Sequence, residues 1–194
     1  MLIEFEGVPL IRRVFDKVSS FGFDTYVLTD SDEIAEVIPQ DNVKRTGEAM
    51  NGTHRISMVD WSEYDYVINI QGDMIDINGY VIEPLIHAIR YNIRFDYATL
   101  YTKGAEPNDV KVIHNDGDVH WFTRADIGYG DRHLGVYAYK SCMLGVYPTL
   151  KDAYPVEDLE QNRMLGFNFI AFETNYDGKE INTKADIDSW SLQP

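Results

Sequence analysis

Gln71-Gly72-Asp73 follows directly on Tyr66-Val67-Ile68-Asn69-Ile70, so an apolar run gives way at once to a polar tripeptide ending in a carboxylate. The run has the uninterrupted, β-branched character of a strand buried on both faces, as in a parallel sheet. Open α/β sheets bind ligands just beyond the carboxyl ends of such strands. Asp73 would offer hard oxygen atoms there to a cation such as Mg²⁺, and Gly72 lets the backbone turn tightly or approach a ligand. Gly and Asp are equally common in solvated turns, so the tripeptide alone does not decide between the two. A second pair of groups, His133 and Tyr137, lies four residues apart on a predicted strand, a spacing that turns both to one side. A histidine on such a strand is more often a packed core residue than a ligand.

Alternating helix and strand signals surround these groups. Residues 9–20 place Leu10, Ile11, Val14, Phe15 and Val18 at helical spacing, with Pro9 suited to a first turn. A strand over 25–28 ends at Thr29-Asp30, and Ser31 or Asp32 can cap a short helix through Val37. Residues 56–61 predict a helix after the Asn51-Gly52-Thr53 turn, and 80–90 predict another with Ile82, Leu85, Ile86 and Ile89 on one face. Aromatic and β-branched content predicts strands over 97–101, 110–113, 119–123 and 133–139, with Asn115-Asp116-Gly117-Asp118 as a hairpin turn. Helices are expected over 141–146 and 156–165, extended chain over 167–173 and 179–181, and a short helix after Thr183. The pattern predicts one mixed α/β domain over residues 1–194 with an antiparallel excursion.

Composition removes whole classes of function. A formal net charge of −15 argues against a nucleic-acid backbone as partner, although a carboxylate site can still take a nucleotide through a divalent cation. No apolar run is long enough to span a membrane, and Glu4 and Glu6 interrupt the only apolar stretch at the start, so no signal peptide is expected. The single Cys142 has no internal partner for a disulfide, which suits a reducing cytoplasm.

The motifs, taken in order, resemble those of the 3-deoxy-manno-octulosonate (Kdo) cytidylyltransferase family. Gly7-Val8-Pro9-Leu10-Ile11 is similar to the family's Gly-Lys-Pro-Met-Ile, and Asn51-Gly52-Thr53-His54-Arg55 to its Ser-Gly-Thr-Glu-Arg. Gln71-Gly72-Asp73 resembles the start of its Gln-Gly-Asp-Glu-Pro, and Pro107-Asn108-Asp109-Val110-Lys111-Val112 its Pro-Asn-x-Val-Lys-Val. Phe122-Thr123-Arg124, Arg132-His133-Leu134-Gly135-Val136-Tyr137 and Leu159-Glu160-Gln161-Asn162-Arg163 resemble Phe-Ser-Arg, Arg-His-Leu-Gly-Ile-Tyr and Leu-Glu-Gln-Leu-Arg.

The resemblance implies a Rossmann-like nucleotide-diphospho-sugar transferase fold, with a mixed, mostly parallel sheet flanked by helices. It implies transfer of CMP from CTP to Kdo, with release of pyrophosphate, in sugar activation for lipopolysaccharide. By its motifs Asp73 is the catalytic carboxylate and a Mg²⁺ ligand, with Asn182 as second ligand where the family has Asp. Gly52, Thr53, Arg55 and Gln71 fall at the nucleotide, and Arg124, His133, Tyr137, Glu160 and Gln161 at the sugar acid. Arg124 would supply the cation for the sugar's carboxylate. Lys111 would suit phosphate or a plain edge-strand position equally. A homodimer in the cytoplasm is also implied.

Departures from the family bear on activity. His54 and Met74 stand where the family has acidic residues, and Asn182 carries no charge. The family's opening strand and its Arg- and Lys-bearing phosphate loop have no counterpart ahead of Met1-Leu2-Ile3-Glu4-Phe5. The expectation is an enzyme that is slow or inactive as this 194-residue chain, Met1 being an internal residue of a longer product. The alternative is a relic of the fold that binds a sugar acid or a partner subunit without catalysis.

Overall fold

Leu10, Val14 and Phe15 are the positions of the first amphipathic segment that the fold buries, and they lie along one side of a helix. The computed structural model describes residues 2–150 and 157–176, which fall into two compact units. The first holds the described residues up to Glu48 together with Gln71–Gly79. In it β1 (Glu4–Phe5) and β2 (Val8–Pro9) form an antiparallel pair that leads into α1 (Leu10–Ser19). Leu10 packs with Ile3, Phe5 and Ile75. Arg13 holds the hairpin to the helix: its Nε and Nη2 donate to the Phe5 carbonyl at 2.9 and 2.6 Å, and its guanidinium lies over the Phe5 ring.

β3 (Val27–Thr29) pairs in parallel with β4 (Val43–Arg45), and the crossover between them carries α2 (Asp32–Glu36). Ser31 caps α2 by accepting the Ile34 N–H at 3.2 Å, as its residue type predicts.

The second unit comprises Ala49–Ile70 and Tyr80–Tyr176. Its opening helix, α3 (Gly52–Ser57), starts earlier than the apolar spacing predicts. Asn51 accepts the His54 N–H at 2.8 Å, which draws Gly52 and Thr53 into the first turn. The helix stops at Ser57, and the Trp61 indole, expected inside it, instead donates to the Ile56 carbonyl at 2.9 Å. β5 (Tyr66–Asn69) and α4 (Gly79–Arg90) follow, α4 burying Val81, Ile82, Leu85, Ile86 and Ala88.

A six-stranded sheet is then completed by β6 (Tyr97–Thr102), β7 (Lys111–Asn115), β8 (Asp118–Thr123), β9 (Asp131–Lys140) and, after α5 (Ser141–Leu144), β10 (Phe169–Glu173). Strand order is β5-β9-β6-β10-β8-β7. The sheet is mixed, as expected, but its neighbours are not mostly parallel. β5, β6, β7 and β10 share one direction while β8 and β9 oppose it, and only β6 and β10 pair in parallel. β9 wedged between β5 and β6 turns both of its long ladders antiparallel. The β7–β8 turn forms where predicted, with Asp116 and Gly117 both at positive φ, the geometry that suits a tight hairpin.

The helix expected over 156–165 is replaced, within the described residues, by a 3₁₀ turn over Glu160–Met164. Asn162 explains the difference. Its side chain accepts the Phe122 N–H at 3.2 Å and donates to the Phe122 carbonyl at 3.1 Å, so the segment is held to β8. The predicted elements over 179–181 and after Thr183, and Asn182 with them, lie outside the described residues.

Candidate active site

β9 does not run straight. Thr99 on β6 faces Tyr137, yet Tyr101, two residues on, faces His133, so β9 spends two extra residues over the same stretch. Gly135 sits inside this bulge at φ 66°, a left-handed conformation that glycine adopts without a side-chain clash. In a regular strand, residues four apart are separated by about 13 Å. Here the His133 and Tyr137 rings lie 5.3 Å apart, centre to centre. The spacing therefore placed both on one side correctly, and the bulge brings them into contact.

From that pair a continuous wall can be traced through the second unit. Tyr137 stacks on Tyr139 at 5.8 Å, and the Tyr139 hydroxyl bonds Thr53 Oγ1 at 2.9 Å. The Thr53 N–H donates to Glu160 Oε2 at 3.0 Å, and the Gly52 N–H is also directed to that carboxylate. A Cβ at residue 52 would meet Glu160 Oε1 at 3.8 Å. Tyr147 closes the wall from behind, its hydroxyl donating to Asn51 Oδ1 at 3.2 Å. Gly52, Thr53, His133, Tyr137 and Glu160, far apart in the chain, are thereby assembled, with Gln161 buried beside Glu160.

Apart from the Glu160 carboxylate, the electrostatics of this wall are those of neutral donors and acceptors. Loss of water pushes the His133 imidazole down to about 3, so the ring is uncharged at neutral pH. The Tyr137 and Tyr139 phenols are raised far above their ordinary range, chiefly by burial and further by the Glu160 charge. Burial also raises the Glu160 carboxyl, against the lowering effect of the N–H groups of Thr53 and Gly52.

Several expectations are corrected by these contacts. Thr53 is wholly buried and its hydroxyl is committed to Tyr139, so it shapes the wall rather than meeting a nucleotide. Glu160 sits on a 3₁₀ turn rather than on the expected helix, and its carboxylate holds the amino end of α3. Lys111 is buried, its ammonium donating to the carbonyls of Pro107 and Asp109 at 2.9 and 3.0 Å, which ties down a turn and leaves phosphate out of its role. Arg124 is exposed just past β8, where its backbone N–H bonds the Glu157 carboxylate. Arg55 lies partly exposed on α3. Tyr139, Thr99 and the bulge were missed by sequence reasoning, although a glycine inside a strand pattern was the available signal for the bulge.

Gln71 and Asp73 belong to the first unit. They form a tight turn in which Met74 N–H donates to the Gln71 carbonyl at 3.3 Å and Ile75 N–H to the Asp73 carbonyl at 3.0 Å. Asp73 Oδ1 is buried and has no hydrogen-bond partner among the described residues. Desolvation raises its carboxyl above the ordinary value, outweighing a backbone bond that lowers it. An unpartnered hard oxygen of this kind fits a divalent cation. Among the described residues no cluster of three His, Cys, Asp or Glu, at Asp73 or elsewhere, is placed to hold one. Nor, among them, is any helix long and apolar enough to cross a membrane.

The fold is the nucleotide-diphospho-sugar transferase fold of nucleotidyltransferases. A solved structure titled CMP:2-keto-3-deoxy-manno-octonic acid synthetase complexed with CTP superposes with a TM-score of 0.88 at 28% identity, covering 97% of this chain and 88% of its own. The chain belongs to the cytidylyltransferase family, whose pattern matches residues 1–175. It is 35% identical to 3-deoxy-manno-octulosonate cytidylyltransferase 2 of Hydrogenovibrio crunogenus, over 94% of this chain and 86% of that protein. It is 33% identical to the 8-amino-3,8-dideoxy-manno-octulosonate cytidylyltransferase of Shewanella pealeana, over 96% and 88% respectively.

Proposed function

We propose that this chain transfers CMP from CTP to Kdo. The anomeric hydroxyl oxygen forms a bond to the α-phosphorus, the bond from that phosphorus to the β-phosphate oxygen breaks, and pyrophosphate leaves with the electron pair. The hydroxyl proton passes to solvent. The observation that carries the reading is the pairing of His133 with Tyr137 at the β9 bulge, within a wall ending at Glu160. A hydroxyl-rich sugar needs neutral groups that can donate and accept at close quarters, and this wall supplies them. Arg124 gives the sugar's carboxylate a cation, and by resemblance Gly52 and Arg55 of the second unit, and separately Gln71 of the first, are assigned to the nucleotide.

Mg²⁺ is the inferred cofactor, held by Asp73 and, by resemblance, Asn182. Bound there, the ion would supply positive charge to offset that on the phosphate oxygens. Asp73 keeps an oxygen without a partner among the described residues for that task. A cytoplasmic homodimer is inferred with the same family reading. The binding-only alternative draws no support from relatives that are named as enzymes.

The relatives divide over the group at C8 of the sugar. Pyrophosphate release measured with Kdo, with its 8-amino analogue and with N-acetylneuraminate tests the choice. The fastest turnover is expected with Kdo. A preference for the 8-amino sugar would keep the chemistry and change the substrate, while a preference for N-acetylneuraminate would overturn the sugar-site reading.

A further inference from the structure

We infer that Thr99 sets the tautomer of His133 and thereby presents the bare Nδ1 of that ring as an acceptor for a sugar hydroxyl, an inference that rests on the sugar-site reading above. Thr99 lies on β6 with its side chain wholly buried. Its hydroxyl makes two bonds, one of 2.7 Å to the Val136 carbonyl oxygen and one of 2.9 Å with His133 Nε2. A carbonyl oxygen can only accept, and a threonine hydroxyl has one hydrogen to give. That hydrogen goes to Val136. The hydroxyl therefore meets Nε2 with a lone pair, and Nε2 must carry the proton.

A neutral imidazole has a single N–H, so Nδ1 is left as an acceptor. No hydrogen bond to Nδ1 is made among the described residues. The ring itself is held between Phe122, whose edge-on contact is 4.9 Å between centres, and Tyr137. The bulge is what makes the arrangement possible. It brings the Val136 carbonyl and the His133 ring to the same hydroxyl, two bonds that a straight strand in register with Thr99 would not offer together. Thr99 touches no substrate in this scheme and acts as a positioning residue. Its effect is to make His133 selective for a hydroxyl that donates, and to deny it to a group that only accepts.

Nitrogen-15 imidazole spectra of the labelled protein test the assignment, the protein's five histidines being resolved and His133 identified by its loss in His133→Gln. The wild-type protein at neutral pH is expected to show a protonated Nε2 and a bare Nδ1 at His133. Thr99→Val should mix the two tautomers and raise KM for the sugar acid about tenfold, the worth of one well-made hydrogen bond, with kcat and KM for CTP moving by less than about twofold. Thr99→Ser, which keeps the hydroxyl, should restore both properties. A bare Nε2 or a doubly protonated ring in the wild-type protein overturns the tautomer assignment. The expected tautomer with an unchanged sugar KM in Thr99→Val overturns the role in recognition. An unchanged sugar KM in His133→Gln as well would overturn the sugar-site reading itself. Should Thr99→Val fail to fold, titration of the wild-type protein with Kdo decides: the Nδ1 resonance must move as it accepts a hydrogen bond, and a resonance that stays fixed contradicts the inference.

Discussion

Asp73 carries a conflict that a proton or a cation relieves. Its Oδ1 is buried without a partner among the described residues, and desolvation raises its carboxyl above the ordinary 3.8. A raised carboxyl binds its proton more tightly when folded than when unfolded. The metal-free protein is therefore best served below that ordinary value and loses stability as pH rises through the raised one. Asp73→Asn removes the charge. Its melting temperature without metal should equal or exceed that of the wild type at pH 7, with the gap closing toward pH 4, as followed by calorimetry. The same substitution should lower kcat by about 10²–10³-fold, since the carboxylate that would hold the charge-stabilising cation is lost. A variant both less stable at neutral pH and fully active would mean that Asp73 is an ordinary turn residue.

At the scale of the element, β9 decides the site. Gly135 at φ 66° allows the bulge, and an alanine there carries a steric cost of about 1–2 kcal/mol. Gly135→Ala should lower stability by that amount in urea unfolding and raise KM for the sugar acid more than KM for CTP, because His133 and Tyr137 lose their contact. Equal effects on both substrates would separate the bulge from the sugar site. This is also where sequence reading met its limit. Helices α1 and α4 were legible because their apolar residues recur every three to four positions and one local face is buried. The side of the strand shared by His133 and Tyr137 was legible from alternation. The bulge was not, because its cause is a register against β6 some 35 residues away, and local periodicity cannot see a partner strand. Strand direction failed for the same reason: β5 and β6 read as buried strands whether their neighbour runs with them or against them. The 3₁₀ turn over Glu160–Met164 was read as a helix because nothing local shows that Asn162 will bond the Phe122 backbone.

For the whole molecule, charge and chemistry must be reconciled. A chain carrying a net −15 repels a free triphosphate, so CTP is expected to arrive with its cation, and the unpartnered oxygen of Asp73 is suited to receive it. The wall from His133 to Glu160 is built of groups that burial holds neutral or raises towards their neutral form, which suits the sugar rather than the phosphates. The two halves of the reaction thus draw on differently built groups, and the central claim is that they are joined in one turnover. The most direct test is pyrophosphate release with CTP, Mg²⁺ and Kdo supplied together and each withheld in turn. Release that needs all three components is the result expected. Release that ignores Kdo, or none while circular dichroism shows the protein folded, would contradict the claim.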